Sequence, residues 1–269
     1  MQRGPLTETS SVTVALLTSV LILFFSSLAA AGDYPPRPLP DEDRQTLDQY
    51  LGSYLIGEAI AAPSLTNGLN DLISLHDGLS WQMRVVSGNN SGAIELGSAA
   101  LLNRAGNSAF RFDTGDGRNV LFGQLDQMGN LICYASQDNQ QGVISRFTPA
   151  QPIFLAGMSP GQVQVTTSSV SVADLSQPDV QTHSGKLNIE FEYMGAYRLH
   201  VPAGAIETVL FRTRLTGKVG PATVQDTIYR FFAKNSGPVA LVETNDVSAL
   251  FIYHEKTRIG KVLVETMTK

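Results

Sequence analysis

Alternating apolar and polar residues dominate the chain from residue 79 onward, and this pattern predicts β-strands. In residues 186–193, KLNIEFEY, the odd-numbered positions are Leu, Ile, Phe and Tyr, and the even-numbered ones are Lys, Asn, Glu and Glu. A strand of this kind buries one face and wets the other, which is typical of antiparallel sheets. Turn-forming residues recur at short intervals and delimit roughly a dozen strands. We therefore expect a mainly β protein with an antiparallel curved sheet or half-barrel, built as one sheet unit or two.

Between residues 41 and 78 the apolar residues recur instead at helical spacing. One apolar face is formed by Leu47, Leu51, Tyr54 and Leu55. Asp41 can cap the start of a helix over residues 41–62. Ser64 can cap a second, shorter helix over residues 64–77. With this helical segment the predicted class is α+β with a short N-terminal helical part.

Residues 1–31 are expected to be a signal peptide. Residues 12–28 form an apolar run preceded by Arg3, and small residues up to Ala31 place a cut before Gly32. The run is also about as long as the shortest membrane-spanning helices. An uncleaved membrane anchor through the same run is therefore the alternative. In either case we expect an exported, periplasmic or secreted body, with membrane contact only if this segment is retained.

Proline-rich and glycine-rich stretches divide the rest of the chain. Such stretches at 148–162 and 171–185 predict loops, because Pro lacks an N–H and restricts the residue before it. We expect the following parts: a Pro-rich linker at 32–40, the helical segment at 41–78, an N-terminal β-rich part at 79–150, crossing loops with a short strand at 151–185, and a C-terminal β-meander at 186–265.

Charge and cysteine content narrow the class of partner. The net charge is −5, and no Lys/Arg block supplies the basic stripe that a nucleic-acid partner requires. Cys133 is the single cysteine, so the chain has no internal disulfide. Its apolar neighbours predict a buried small hydrophobe, with a reactive thiol or an intermolecular bridge as the alternatives. An exported chain without disulfides suits a bacterial envelope.

No residue pattern assembles a catalytic or metal site. The segment HEKTR that begins at His254 lacks the second histidine of a zinc-protease helix. The spacing of Asp113 and Asp116 predicts a hairpin turn and does not fit a calcium loop. The G-x-S-x-G nucleophile pattern is absent. We therefore expect no catalytic residues, no metal and no cofactor, and a hydrolase assembled from distant residues is the least favoured class.

The C-terminal meander carries a resemblance to a known family. Its YRLHVPAGAIETVLFRTRL, followed by YRFFAKNSGPVALVE, resembles uncharacterised exported bacterial β-proteins. These are distantly similar to the half-barrel periplasmic carriers of lipoproteins, the LolA/LolB type. The resemblance covers residues 186–265. It implies a curved antiparallel sheet, covered by helices, around an apolar hollow that shields acyl chains.

The favoured function is non-catalytic binding of a lipid or another apolar small molecule in the bacterial envelope. The rival is a structural or assembly protein of the envelope whose sheet edges or loops bind another protein. Both faces of the meander's middle strands carry apolar residues, which leaves room for a cavity. The candidate lining residues, whose residue types more often form plain core than ligand contacts, are Phe211, Phe231, Phe232, Leu241 and Phe251.

Overall fold

The computed structural model describes residues 34–54, 57–73, 75–104, 107–249 and 253–267. They contain the helix α1 (Asp41–Leu51) and 3₁₀ turns at Gly52–Tyr54 and Gly68–Asp71. The strands are β1 (Ala59–Ile60), β2 (Ser80–Ser87), β3 (Ile94–Arg104), β4 (Asn107–Asp113), β5 (Asn119–Leu125), β6 (Leu131–Asp138), β7 (Val143–Phe154), β8 (Val163–Asp174), β9 (Gln181–Val201), β10 (Gly204–Val219), β11 (Ala222–Ala233), β12 (Gly237–Ala249) and β13 (Tyr253–Met267). The predicted mainly β class with a short N-terminal helix is confirmed, and the expected signal peptide at 1–31 lies outside the described residues.

The strands form a single antiparallel sheet that closes on itself. Each strand from β2 to β13 pairs with the next one along the chain, and β13 pairs back with β2 to complete a twelve-stranded barrel. This closing pair runs from Gly260 opposite Ser87 to Met267 opposite Ser80. The expectation of a curved sheet or half-barrel, in one unit or two, is therefore corrected. Alternation predicts which side of a strand is buried, but it does not show that the first and last strands pair.

Successive antiparallel strands place alternate turns at opposite ends of the barrel. The turns at 88–93, 114–118, 139–142, 175–180 and 220–221 lie at one end, which we call the rim. The segments at 126–130, 155–162, 202–203 and 234–236 lie at the other. The chain between β1 and β2 covers this second end, and we call residues 63–73 and 75–79 the plug.

The plug is held by backbone hydrogen bonds to several turns. Leu69 N donates to Gly129 O at 2.9 Å, Gly157 N donates to Leu65 O at 2.9 Å, and Asn235 N donates to Leu72 O at 2.7 Å. These bonds satisfy backbone groups that a helix would satisfy internally. The second helix expected over 64–77 is therefore wrong, since the described part of that range holds only a 3₁₀ turn.

Helix α1 packs against the outside of the barrel. Leu47 and Leu51 are buried among outward-facing residues such as Leu210 and Val242. The helix ends at Leu51, because Gly52 adopts φ 57, a conformation that favours glycine. It is therefore shorter than the expected 41–62, and the predicted face residue Leu55 lies outside the described residues. No helix in the described part of the chain is long and apolar enough to cross a membrane.

Three segments expected to be irregular are more ordered than their composition suggests. Strand β7 runs through residues 148–154 of the loop expected at 148–162, and strands β8 and β9 leave only residues 175–180 of the loop expected at 171–185. The β7 prolines lie where its pairing with β6 shifts register, and a missing N–H is tolerated at such places. In the expected linker, Tyr34 N donates to Ala62 O at 2.6 Å and Leu39 is buried.

Candidate functional site

A cavity of about 730 Å³ lies inside the barrel. Its wall includes plug residues such as Leu69 and Ile73 at one end and residues next to the rim turns, such as Val219 and Pro221, at the other. Residues of β2 and of every strand from β4 to β13 supply the wall between these two ends. The rim side chains Val143, Val172 and Val219 remain partly exposed, whereas Leu69 is 2% exposed. The cavity is thus closed at the plug and reaches toward solvent at the rim.

The part of the cavity next to the plug is apolar. Leu79 precedes β2, Met83 lies within β2, and both line the cavity together with the single tryptophan, Trp81. Gly97 on β3 lies against the Trp81 indole, so closely that a Cβ there would be 2.2 Å from Nε1. This glycine therefore makes room for the largest side chain of the cavity wall. A surface of this kind can hold a hydrocarbon group by desolvation.

The residues proposed from the sequence have different positions. Phe231, Phe232 and Leu241 line the cavity. Phe211 is fully buried, and its ring centroid lies 4.7 Å from that of Phe154, within a larger aromatic group beside the plug. Phe251 lies outside the described residues. The structure therefore brings three of the five candidates to one cavity and places Phe211 in the adjoining core.

Charged side chains project into the middle of this cavity from two neighbouring strands. Asp226 and Arg230 lie on β11, and Glu243 and Asn245 lie on β12. The register pairs Asp226 with Asn245 and places Glu243 opposite Ile228, between the two charged residues of β11. The Arg230 Nη1 donates to Thr213 Oγ1 at 3.0 Å. The four side chains thus form one polar group on the wall, which we call the polar patch.

Burial shifts the pKa values of the polar patch. Burial, reinforced by the Glu243 charge, raises the pKa of Asp226 to about 8. Burial also raises the pKa of Glu243, and it lowers that of Arg230. These groups line the cavity, where their charged forms lose much of their hydration. At neutral pH the Asp226 carboxyl therefore favours its protonated form.

A second charged group adjoins the polar patch. Lys261 on β13 lines the cavity, and its Nζ lies 2.7 Å from Glu95 Oε2 and 3.9 Å from Asp116 Oδ2. Cys133 on β6 also lines the cavity, and its Sγ contacts Ala135 O at 3.2 Å. Burial raises the pKa of this thiol to about 11. Its burial agrees with the predicted role of a small hydrophobe.

The polar patch was not predicted from the sequence, although a signal for it is present there. In β11, Val224, Asp226, Ile228, Arg230 and Phe232 occupy alternating positions. Two charges thus fall among apolar residues on the inward face. The pattern could have been recognised as a buried polar site. It was overlooked because the inward face of each strand can be assigned only when the sheet is known to close into a barrel.

The other motifs considered in the sequence do not form a site. Asp116 Oδ1 accepts backbone N–H groups of Arg118 and Asn119, each at 2.8 Å, which is turn geometry. His183 is exposed on β9 at the rim and His200 is exposed at the opposite end of that strand. Among the residues the structure describes, no three His, Cys, Asp or Glu side chains form a possible metal site.

Comparisons with known proteins give distant structural likenesses only. No protein-family model matches the chain, and no curated protein matches it in sequence. A Parabacteroides distasonis protein classed as a lipoprotein is 12% identical over 71% of this chain and 96% of its own, with a TM-score of 0.37. A Bacteroides fragilis protein classed as exported, with a YmcC-like fold, is 10% identical over 73% of this chain and 99% of its own, with a TM-score of 0.42.

The hypothetical lipoprotein YmcC of Escherichia coli is 9% identical over 72% of this chain and 90% of its own, with a TM-score of 0.33. LolA and LolB are not among these three proteins. The scores are too low to carry an argument about this chain. The fold assignment therefore rests on the strand pairing alone.

Proposed function

We propose that this protein binds an elongated small molecule with an apolar part inside its barrel, without catalysis, in the bacterial cell envelope. The observation that carries the proposal is the cavity of about 730 Å³. Ligand cavities are typically about 300–1,000 Å³, mainly apolar, with a few polar groups that fix orientation. The polar patch supplies such groups in a wall that is otherwise largely apolar.

The plug end is suited to the hydrocarbon part of the ligand. Leu69, Ile73 and Phe232 line this part of the wall. Moving one methylene group from water into such apolar surroundings contributes about 0.8 kcal/mol of favourable binding free energy. A chain of several methylene groups therefore supplies enough free energy for binding at micromolar concentration.

The rim is the entry route that best fits the arrangement of the chain. The plug is fixed to three turns by backbone hydrogen bonds, whereas apolar rim residues such as Val172 and Val219 are partly exposed. A ligand entering there passes the polar patch before its apolar end reaches Phe232. The polar group of the ligand then stays beside Asp226 and Arg230.

The envelope location rests on the sequence. Residues 12–28 have the composition of an export signal, with a membrane anchor as the alternative. A body without disulfides and with one buried cysteine suits a bacterial periplasm. Carriage of an apolar molecule through that aqueous compartment is a role that a cavity closed at the plug end serves.

A fluorescent probe tests the proposed function. N-phenylnaphthylamine gains fluorescence in apolar surroundings, so we expect saturable enhancement with the purified protein. Leu241→Trp fills the cavity from β12 and is expected to weaken probe binding by about tenfold. Gln225→Trp adds the same ring on the exposed outer face of β11 and is expected to leave binding unchanged. Equal binding by both variants, or no saturable enhancement at all, would contradict the proposal.

A further inference from the structure

The polar patch contains hydrogen-bond acceptors that the protein leaves without donors. Asp226 and Asn245 are directly paired between β11 and β12. Side chains at such positions lie on the same face with Cβ atoms about 4.5–5.5 Å apart. Within the described residues, Asp226 Oδ1 and Asn245 Oδ1 are both buried and both lack a hydrogen-bond partner. Two neighbouring buried oxygens in a cavity wall therefore lack a donor.

Leaving such groups unsatisfied is costly, so a donor is expected at this place when the cavity is filled. Buried polar atoms are nearly always paired with protein, water or ligand. Asn245 cannot donate from Oδ1, and Arg230 Nη1 is directed to Thr213 Oγ1 at 3.0 Å. A donor that enters with a ligand replaces water at these oxygens.

The charge of the wall also favours a donor. Of the charged side chains that line the cavity in the described residues, Asp113, Asp116, Asp226 and Glu243 are carboxylates, and Arg230 and Lys261 are cations. Lys261 is already held by Glu95 at 2.7 Å. Arg230 lies on the same strand as Asp226 and diagonally across the β11–β12 pair from Glu243, so one guanidinium is shared between these two carboxyl groups. A bound ammonium favours the ionised forms of Asp226 and Glu243, whereas a carboxylate or phosphate is accepted only by their neutral forms and is repelled once they ionise.

We infer that the polar group of the ligand is a hydrogen-bond donor without negative charge, an ammonium or a hydroxyl, held by Asp226, Asn245 and Glu243. An ammonium group supplies three donors and a compensating charge, and a hydroxyl supplies one donor. The ligand class is thus a long-chain amine or alcohol. Fatty acids and phosphate-headed lipids are disfavoured. This inference rests on the proposed function, because it names the polar end of the molecule bound in the same cavity.

Matched amphiphiles test the inference near neutral pH. Decylamine, decanol and decanoate carry the same hydrocarbon chain and differ only in the polar group. Each is titrated, below the concentration at which it aggregates, against protein loaded with N-phenylnaphthylamine. We expect decylamine to displace the probe most effectively, decanol next and decanoate least. A difference of about tenfold or more between decylamine and decanoate corresponds to the loss of one charged hydrogen bond.

Two isosteric variants assign the effect to the polar patch. Asp226→Asn and Glu243→Gln each remove a carboxylate with little change in volume, and each is expected to reduce the advantage of decylamine over decanoate severalfold. Glu190→Gln removes an exposed, outward carboxylate of β9 and is expected to change nothing. The use of two variants keeps the test decisive if one of them fails to fold.

The outcomes separate the two proposals. If decanoate displaces the probe as well as decylamine and decanol do, the inferred polar group is wrong while cavity binding stands. If the order holds but neither carboxylate variant alters it, the assignment to Asp226 and Glu243 is overturned. If the probe does not bind saturably and no amphiphile binds, the proposed function itself fails.

Discussion

The Arg212 guanidinium on β10 binds both carboxylate oxygens of Asp43 on α1, with Nη1 at 2.6 Å from Oδ1 and from Oδ2. Its Nη2 donates to Glu192 on β9, which in turn accepts a hydrogen bond from Arg37 at 3.0 Å. Tyr229 Oη on β11 donates to Asp43 Oδ1 at 2.7 Å. Asp43 is 1% exposed. This network joins the N-terminal segment and α1 to three strands on the outside of the barrel.

Removing the buried carboxylate is expected to destabilise the protein. Asp43→Ala leaves Arg212 partly buried without its main partner, and such a loss costs about 3–5 kcal/mol of unfolding free energy. Asp48→Ala, on the exposed side of the same helix, should change it by less than about 0.5 kcal/mol. Urea unfolding of both variants measures the difference. Equal midpoints would show that the network does not stabilise α1 on the barrel.

Stability should depend on pH through Asp226. Its folded-state pKa of about 8 lies above the usual value of 3.8, so its contribution is fully present below about pH 3.8 and is lost as the pH rises toward about 8. Asp226→Asn removes this pH-dependent contribution to the free energy of unfolding. The variant should therefore be more stable than the parent at about pH 8, by roughly 1–3 kcal/mol, and show a smaller difference at about pH 5.

Urea unfolding across this pH range provides the measurement. The pKa of Glu243 is also raised, so this group too lowers the free energy of unfolding as the pH rises. Part of the pH dependence of stability should therefore remain in Asp226→Asn. Glu190→Gln is the matched control, and its pH profile should follow the parent's. A profile for Asp226→Asn that also coincides with the parent's would contradict the burial of this carboxylate in the cavity.

The Cys133 thiol should react slowly in the folded protein. Burial raises its pKa to about 11, so little thiolate is present at neutral pH, and the thiolate is the reacting form. We expect modification by iodoacetamide to be slow in the native protein and fast in urea. Because Cys133 lines the cavity, saturating decanol should slow the native reaction further. Native labelling as fast as in urea would place this thiol outside the protected wall.

Truncation of Phe211 and of Leu241 to alanine should lower the free energy of unfolding by different amounts. Phe211 is fully buried among aromatic rings, so Phe211→Ala should cost about 3–5 kcal/mol of unfolding free energy. Leu241 borders the cavity and already lacks neighbours on one side, so Leu241→Ala should cost less. Urea unfolding of the two variants measures this. Equal losses would show that both residues are core residues of the same kind.

Much of the barrel wall could be predicted from alternation. The strand at 186–193 buries Leu187, Ile189, Phe191 and Tyr193 as its pattern indicated. Closure could not be predicted, because the pairing of β2 with β13 joins segments more than 150 residues apart. The plug could not be predicted either. Its apolar residues recur at helical spacing, but its backbone hydrogen bonds go to turns that are distant in the sequence.

The candidate site was predicted only in its apolar part. Phe231, Phe232 and Leu241 were proposed as candidate lining residues, and the structure places them beside the cavity. Asp226, Arg230 and Glu243 were missed because charges on strands are ordinarily solvated. Their burial follows from barrel closure, which turns one face of every strand toward the interior. Register across β11 and β12 then brings them together.

Trp81 offers the most direct test of the claim that the barrel interior binds an apolar chain. It is the single tryptophan and lines the cavity, so its fluorescence reports on the contents of that cavity. Titration with bromodecanol should quench this fluorescence saturably, because the bromine atom is brought against the indole, and unlabelled decanol should reverse the quenching. Quenching no greater than that of free tryptophan in the same solution would contradict binding inside the barrel.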